Sequence, residues 1–273
     1  MSLQSLLNPL RHIKNRSRFL FNRFFGRQLM LGRLEPLKND TLRSMPILCI
    51  NTPNAYSRRQ FMQKQADRLG ITGLNFVDAV DGSKLTIDSF ITSGLYDGEL
   101  AVRYEGRQLG VNIIATALSH ANVWEIVAFG NKDYVLVLED DAIFRSNLFE
   151  SVNPSLIPKK WDVCLLEAWL RNRPPKGYIW GNCYDLRSYI GGAGAYLLSQ
   201  RGALKLFGVS KPVIHPADGF FTWYNRHLSE KKPPIVFQTK EQLHTYLWFP
   251  LPVINGSTAG FWTSSLRTPF YPY

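Results

Sequence analysis

The stretch at residues 134–141 constrains the fold of this 273-residue chain more than any other. It reads Tyr-Val-Leu-Val-Leu and then Glu-Asp-Asp. A continuous apolar run without polar alternation predicts a strand buried on both faces, which is typical of parallel sheets covered by helices. Because α/β sheets bind ligands beyond the carboxyl ends of their strands, the three acids stand where a ligand site is expected.

Strand and helix patterns alternate along the chain after residue 45. Further strands are predicted at 47–50, 75–77, 163–166 and 195–198, and helices at 58–69, 110–129 and 199–207. We expect Ser57 to cap the first of these helices. We also expect a polar connection at 83–109, a helix that begins at Pro216 and a late strand at 246–253. This order predicts a single α/β domain over residues 46–273, with parallel strands in its central sheet.

The composition excludes a disordered chain, a disulfide-rich protein and a protein with a helix that spans a bilayer. A hydrophobic content of 45% with 19% charged residues excludes a disordered chain. Three cysteines are too few for a disulfide framework, and they do not have the spacing of zinc ligands. We therefore expect buried free thiols and a reducing compartment. The sequence has no apolar stretch of 18 residues, so no helix that spans a bilayer is predicted.

The net charge of +11 is concentrated in residues 1–45, which hold nine Lys and Arg against two acids. These basic residues interleave with Leu and Phe. One interpretation is an amphipathic segment that binds an anionic membrane surface. The alternative is a solvated, partly helical extension that packs on the domain or on a partner. No recognition motif accompanies the charge, so nucleic acid is not an expected partner.

The acids after the strand at 134–138 suggest a cation site. Glu139 and Asp141 are two residues apart in an extended segment, so their side chains point the same way. Such oxygen ligands suit a divalent ion that also holds a diphosphate. A solvated acidic turn or a helix N-cap is the alternative. A short acidic cluster alone does not separate these interpretations.

Five sequence blocks follow one another in a characteristic order. They are Ser57-Arg58-Arg59, residues 76–82 (FVDAVDG), residues 117–120 (ALSH) with Trp124, residues 138–141 (LEDD), and residues 192–206 with Pro216-Ala217-Asp218. In this order they resemble glycosyltransferase family 25, which contains lipooligosaccharide galactosyltransferases of bacteria and their relatives, the collagen galactosyltransferases. The resemblance covers roughly residues 46–220. It implies a GT-A type, Rossmann-like fold that binds a nucleotide-sugar and a metal.

The function implied by this resemblance is metal-dependent, inverting glycosyl transfer. The expected donor is a UDP-sugar, UDP-galactose first, and the expected acceptor is an oligosaccharide such as lipooligosaccharide. The expected cofactor is Mn²⁺ or Mg²⁺. The expected location is the cytoplasm, on the inner face of a bacterial inner membrane. The rival function is a non-catalytic carbohydrate-binding or scaffold protein, against which the intact acidic motif and Asp218 argue.

The resemblance also assigns roles to single residues. Glu139 and Asp141 are expected to hold the metal, and Asp218 is expected to be the general base. Donor-binding residues are expected at Arg58, Arg59, Asp78, Asp81, His120, Asp140 and Gly192. The resemblance favours Arg59 over Arg58 as the contact to the diphosphate.

Several of these assignments have structural alternatives. The arginines can simply be solvated, as basic residues at helix starts usually are. Asp78 and Asp81 can close a turn as well as bind the nucleoside. His120 can be a satisfied structural histidine.

Three other acidic or histidine side chains leave alternatives open. Asp218, in the first turn of a helix opened by Pro216, can be only a partner of the helix dipole. Glu167 stands where the family has a small residue, and it can alter sugar choice or be a surface charge. His244 enters as a third metal ligand only by analogy with other GT-A enzymes, since no motif supports it.

Overall fold

The computed structural model describes residues 35–169, 177–186, 191–231, 234 and 241–262. The strands in these residues are β1 (Ile47–Asn51), β2 (Leu74–Asp78), β3 (Tyr134–Glu139), β4 (Ala142–Phe144), β5 (Val163–Leu165), β6 (Tyr178–Trp180), β7 (Cys183–Asp185), β8 (Ala195–Ser199), β9 (Thr245–Trp248) and β10 (Val253–Asn255). The helices are α1 (Asp40–Ser44), α2 (Tyr56–Leu69), α3 (Ile87–Thr92), α4 (Gly98–Glu105), α5 (Val111–Ala128), α6 (Ser146–Phe149), α7 (Gln200–Phe207) and α8 (Ala217–Leu228).

The central sheet has the strand order β2–β1–β3–β8–β5–β9–β7–β6. β1 pairs in parallel with β2 and β3, and β5 pairs in parallel with β9. β8 and β7 run antiparallel to the strands on both their sides. The α/β architecture is confirmed, in a sheet where most strands share one direction. A second, two-stranded sheet pairs β10 with β4.

The expectation of a parallel strand at 195–198 is wrong. Parallel neighbours need a crossover connection, which is usually a helix. Between β5 and β8 the described residues instead form the antiparallel pair β6 and β7. The chain therefore enters β8 from the edge at which β3 and β5 end. This direction places Gly192 and Gly194 at the carboxyl ends of those two strands.

The core lies on both faces of the sheet, as the apolar run at 134–138 predicts. Val135 and Val137 pack with Trp124 of α5 on one face, in one cluster of buried side chains. Leu136 and Leu138 belong to a second cluster on the other face. The alternation follows from the two-residue period of a strand, which sends successive side chains to opposite faces. The predicted free cysteines Cys49, Cys164 and Cys183 are buried.

Three element boundaries differ from the sequence prediction. Helix α2 begins at Tyr56 after the N-cap Ala55, so Ser57 lies inside the helix and does not cap it. The region 83–109 contains α3 and α4, which are started by the capping side chains of Thr86 and Asp97. The late strand at 246–253 is divided into β9 and β10, with prolines between them.

The described chain also packs residues that precede Pro46 against the domain. Leu37, Leu42 and Met45 are fully or almost fully buried in the cluster that contains β1. The Leu37 N–H donates to the Leu69 carbonyl at 2.9 Å. Residues 1–34 of the predicted N-terminal segment lie outside the described residues. No helix in the described part of the chain is long and apolar enough to cross a membrane.

Candidate functional site

The candidate site lies at the carboxyl edge of the central sheet. Glu139 ends β3, and its backbone N–H donates to the Gly194 carbonyl at 2.9 Å. Asp140 and Asp141 form the turn that leads into β4. The acidic motif is therefore placed where the order of strands and helices predicts a ligand site.

Asp140 is the acid of the motif that is neutralised by an arginine. Arg58 Nη1 in α2 donates to Asp140 Oδ1 at 2.7 Å, and Asn51 Nδ2 at the end of β1 donates to Oδ2 at 2.9 Å. Both side chains of the ion pair are largely shielded from solvent. Asp140 thus joins β1, α2 and the turn after β3, and these contacts stabilise the loop that carries the acidic motif.

Asp141 is held by the end of β10 and by the turn that follows it. Ser257 donates from its backbone N–H at 3.1 Å and from its hydroxyl, and Asn255 Nδ2 donates at 3.3 Å. Gly256 lets this segment approach, since a Cβ there would lie 2.6 Å from the Asp141 carbonyl oxygen. Burial, and then the charge of Glu139, raise the pKa of Asp141 to about 6. Both carboxylates are therefore close enough to repel each other.

Glu139 is oriented by a buried chain of ring side chains. His120 Nε2 lies 3.3 Å from Glu139 Oε1, and His120 Nδ1 lies 2.9 Å from the Tyr196 hydroxyl. Trp124 Nε1 donates to the same hydroxyl at 2.9 Å. Burial raises the pKa of Tyr196, so its proton is retained and is donated to Nδ1. His120 then carries its proton on Nε2 and donates it to Glu139.

His120 therefore corresponds to the structural alternative rather than to a direct contact with the donor. It is 0% exposed, and both ring nitrogens are occupied. Its neighbour Ser119 turns away to the Ala115 carbonyl and accepts the Val80 N–H. As expected for adjacent helical residues, these two side chains form no catalytic pair.

Glu167, just after β5, is a buried member of the site. It is only 3% exposed, so the surface-charge alternative is wrong. Its Oε2 accepts the Gly194 N–H at 3.2 Å. Burial, and then the charge of Glu139, raise its pKa to about 8. Gly192 has φ +123°, and a Cβ there would lie 2.7 Å from Glu167 Oε2, so this position needs glycine.

Asp218 faces the same crossing segment from the first turn of α8. Its Oδ2 accepts the Gly192 N–H at 2.9 Å. The position in the first helical turn is the predicted one. The charge of Asp218 also raises the pKa of Glu167. The two carboxylates therefore lie near each other at Gly192, one from the end of β5 and the other from α8. Asp218 is thus a member of the acidic site and more than a partner of the helix dipole.

A buried pair of histidines anchors α8 behind Asp218. His215 Nε2 and His227 Nε2 are 2.7 Å apart, and both residues are 0% exposed. His215 Nδ1 contacts Glu105 at 2.5 Å and His227 Nδ1 contacts Glu230 at 2.8 Å. Each ring thus faces the other histidine through Nε2 and a carboxylate through Nδ1. Neither histidine stands in a motif that marks it in the sequence.

The other predicted donor-binding residues lie at the same edge with different surroundings. Arg59 is exposed, with its guanidinium 4.3 Å from the centre of the Phe76 ring. Arg58 rather than Arg59 thus contacts the acidic motif. Asp78 is exposed at the end of β2. Asp81 accepts the Ser83 N–H at 3.0 Å and so closes the following turn, as its turn alternative predicts.

The proposed third ligand His244 lies at the opposite edge of the sheet. It directly precedes β9, which runs in the same direction as β5 and β3. His244 therefore stands at the amino end, while Glu139 stands at the carboxyl end. Its backbone N–H donates to Asp162 Oδ2 at 2.8 Å. The analogy that introduced His244 as a ligand is wrong.

The donor set at the carboxyl edge fits a hard divalent cation bound together with a substrate. In the described residues no group of three or more His, Cys, Asp or Glu side chains is arranged to hold a metal ion. Mg²⁺-like ions, however, are usually bound by one or two carboxylates plus substrate phosphates. Glu139 and Asp141 supply two carboxylates that repel each other, and a cation held by them would relieve that repulsion.

Comparison with known proteins identifies the family. A family model described as "Glycosyltransferase family 25 (LPS biosynthesis protein)" matches residues 45–221. This chain belongs to glycosyltransferase family 25. The match spans both the acidic motif and Asp218, so it covers the candidate site except for the segment after β10. The predicted family is confirmed.

Relatives within family 25 are distant and longer. A "Glycosyltransferase 25 family member" of Aedes aegypti is 29% identical over 67% of this chain and 32% of its own length. A Drosophila melanogaster protein of the same name is 27% identical over 66% and 31%. A Bos taurus relative, 30% identical over 68% and 32%, is named "Probable inactive glycosyltransferase 25 family member 3". The chain thus spans about a third of the length of these relatives.

Proposed function

We propose that this family 25 protein is an active glycosyltransferase that moves a hexose from a UDP-sugar to an acceptor hydroxyl. Galactose is the first donor sugar to test, and an oligosaccharide such as lipooligosaccharide is the proposed acceptor. One observation carries the proposal. Asp218 and the acidic motif, which are far apart in sequence, converge at one edge of the sheet through Gly192 and Glu167.

Transfer with inversion needs a carboxylate opposite the leaving diphosphate. Asp218 is proposed as this general base, taking the proton of the acceptor hydroxyl while its oxygen attacks the anomeric carbon. The bond from that carbon to the UDP oxygen breaks as the new bond forms. The Gly192 N–H orients the Asp218 carboxylate through Oδ2.

The acidic motif is proposed to hold the donor end. Glu139 and Asp141 would hold a divalent ion such as Mn²⁺ or Mg²⁺, which offsets negative charge on the departing diphosphate when bound. Arg58 is proposed as a diphosphate contact, because its planar guanidinium already lies at this edge. His120 orients Glu139 through its contact with Oε1.

The basic segment is proposed to hold the protein at an anionic membrane surface, on the cytoplasmic side. Residues 1–34 contain seven Lys and Arg and no acid. Basic side chains near such a surface contribute about 1 kcal/mol each. An acceptor carried by a membrane lipid would then be concentrated close to the site.

A non-catalytic binding function is the second candidate, because the bovine relative carries the name "Probable inactive". The two candidates differ in what Asp218 does. For a binding protein, wild type transfers no sugar, and Asp218→Asn leaves UDP binding nearly unchanged. For a transferase, the same change removes the general base.

The test compares Asp218→Asn with wild type for UDP binding and for sugar transfer. We expect UDP binding to stay within about twofold, because Asn can still accept the Gly192 N–H. Transfer should fall by roughly two orders of magnitude or more, the usual scale of general-base catalysis. Near-normal transfer in the variant would assign the base elsewhere, with Glu167 as the next carboxylate to test.

A further inference from the structure

Trp169 is an exposed aromatic side chain in a segment that is otherwise buried. It is 61% exposed, whereas the preceding Glu167 and Ala168 are 3% and 7% exposed. Its backbone N–H donates to the Gly191 carbonyl at 2.8 Å. This bond fixes the backbone of Trp169 to the segment that crosses the carboxyl edge of the sheet. The indole is therefore held at the site while its surface stays open.

The indole and the Asp218 carboxylate both lie against Gly191. A Cβ built on Gly191 would lie 3.0 Å from Trp169 Cε3 and 3.4 Å from Cδ2. The same point would lie 3.3 Å from Asp218 Oδ2. A side chain at Gly191 would be crowded by both groups, so glycine lets the indole and the carboxylate come together at this point. The aromatic ring and the carboxylate thus lie within the span of one pyranose ring.

A flat aromatic surface beside a carboxylate matches the two chemical faces of a sugar. A pyranose presents weakly positive C–H groups on one face and hydroxyls around its edge. The negative face of an indole attracts such C–H groups, and a carboxylate accepts a hydroxyl hydrogen bond. Ligand sites commonly combine an aromatic wall with a few convergent polar groups in this way.

We propose that Trp169 is the platform for the ring of a saccharide acceptor. The C–H face of a hexopyranose stacks on the indole, and one of its hydroxyls points to Asp218. The inference rests on the proposed function, since it needs Asp218 to face the acceptor. It goes further by naming Trp169 as the residue that binds the sugar ring of the acceptor.

The inference is tested by measuring the binding of methyl β-D-galactopyranoside and methyl β-D-glucopyranoside to the full chain. Saturation-transfer NMR is recorded with UDP and the diamagnetic ion Mg²⁺ present, for wild type, Trp169→Ala and Trp169→Phe. We expect Trp169→Ala to weaken glycoside binding by roughly threefold to tenfold, and Trp169→Phe to retain most of it. Phe129→Ala is the matched control, because Phe129 is 70% exposed but precedes β3 at the other edge.

UDP affinity on the same samples separates this inference from the proposed function. Unchanged UDP affinity in both Trp169 variants shows that they fold and keep the donor end. Equal glycoside binding by wild type and Trp169→Ala would overturn the inference alone. Wild type that binds neither glycoside, but transfers sugar to a hydroxyl-bearing peptide, would also overturn it. Wild type that fails to bind UDP would instead overturn the proposed function.

Discussion

Replacing Glu167 with glutamine should stabilise the protein increasingly as the pH rises. Burial and the charge of Glu139 raise the pKa of Glu167 from its ordinary 4.5 to about 8. Between these values the folded protein keeps a proton that the unfolded chain has lost. The stability contributed by this group is therefore complete below pH 4.5 and is lost as the pH approaches about 8. Glutamine does not ionise, and it still accepts the Gly194 N–H.

The size of this effect follows from the two pKa values. A tenfold change in an ionisation constant corresponds to about 1.4 kcal/mol. Relative to Glu167→Gln, the wild type should lose about 3 kcal/mol of unfolding free energy between about pH 5.5 and about pH 8. For a chain of this size, the melting temperature of the variant should rise over that interval by roughly 6–12 °C relative to wild type.

Thermal melts of both proteins in chelator, without nucleotide, measure this difference. Glu125→Gln is the control, because Glu125 is an exposed side chain of α5. The control should shift the melting temperature equally at both pH values. A difference between wild type and Glu167→Gln that stays constant from about pH 5.5 to about pH 8 would refute the buried, proton-binding carboxyl.

Four further changes test other parts of the structure. Arg58→Ala should lower the unfolding free energy by about 2 kcal/mol in urea melts, because a shielded carboxylate loses its charged partner. Arg59→Ala should cost only about 0.5 kcal/mol, since it removes a stacking contact at the surface, and equal losses would contradict this difference. Burial lowers the pKa of His227 in the folded protein. Below the ordinary pKa of 6.5 the unfolded chain therefore binds more protons, so the unfolding free energy decreases as the pH decreases. His227→Gln removes the contact with His215, so it should lower the melting temperature at neutral pH. It should also reduce the dependence of the melting temperature on pH below 6.5, and an unchanged dependence there would contradict the role of the pair. Deleting residues 1–34, which spares the buried Leu37, should reduce binding to anionic liposomes but leave UDP binding unchanged, and equal liposome binding by both proteins would oppose the membrane proposal.

Local patterns predicted the parts of the fold that depend on local periodicity. The strand at 134–138 was predictable because each of its side chains is apolar and both faces are covered. The three acids directly follow this strand, so their position at the carboxyl edge of the sheet was predictable from the strand itself. The direction of β8 was not predictable, because it depends on the antiparallel pair β6 and β7, whose strands are only three residues long.

The site was predicted only in part, because the tertiary fold brings together residues that are far apart in the sequence. Asn255 and Ser257 contact Asp141 from more than a hundred residues away, and their Asn-Gly-Ser sequence has the form of an ordinary turn. Glu167 was visible as an unusual residue, but its burial could not be inferred, since glutamates are mostly exposed. Trp169 carried no sequence signal that separates it from other surface tryptophans.

The most direct test of the account is UDP release from a panel of UDP-hexoses by the full chain. Wild type and Asp141→Asn are compared with saccharide acceptors present, in Mn²⁺ and in excess chelator. The account predicts that wild type uses one UDP-hexose, UDP-galactose first, and that the chelator or Asp141→Asn lowers turnover by roughly a hundredfold or more. Full turnover in chelator, full turnover by Asp141→Asn, or no release from any UDP-hexose would contradict it.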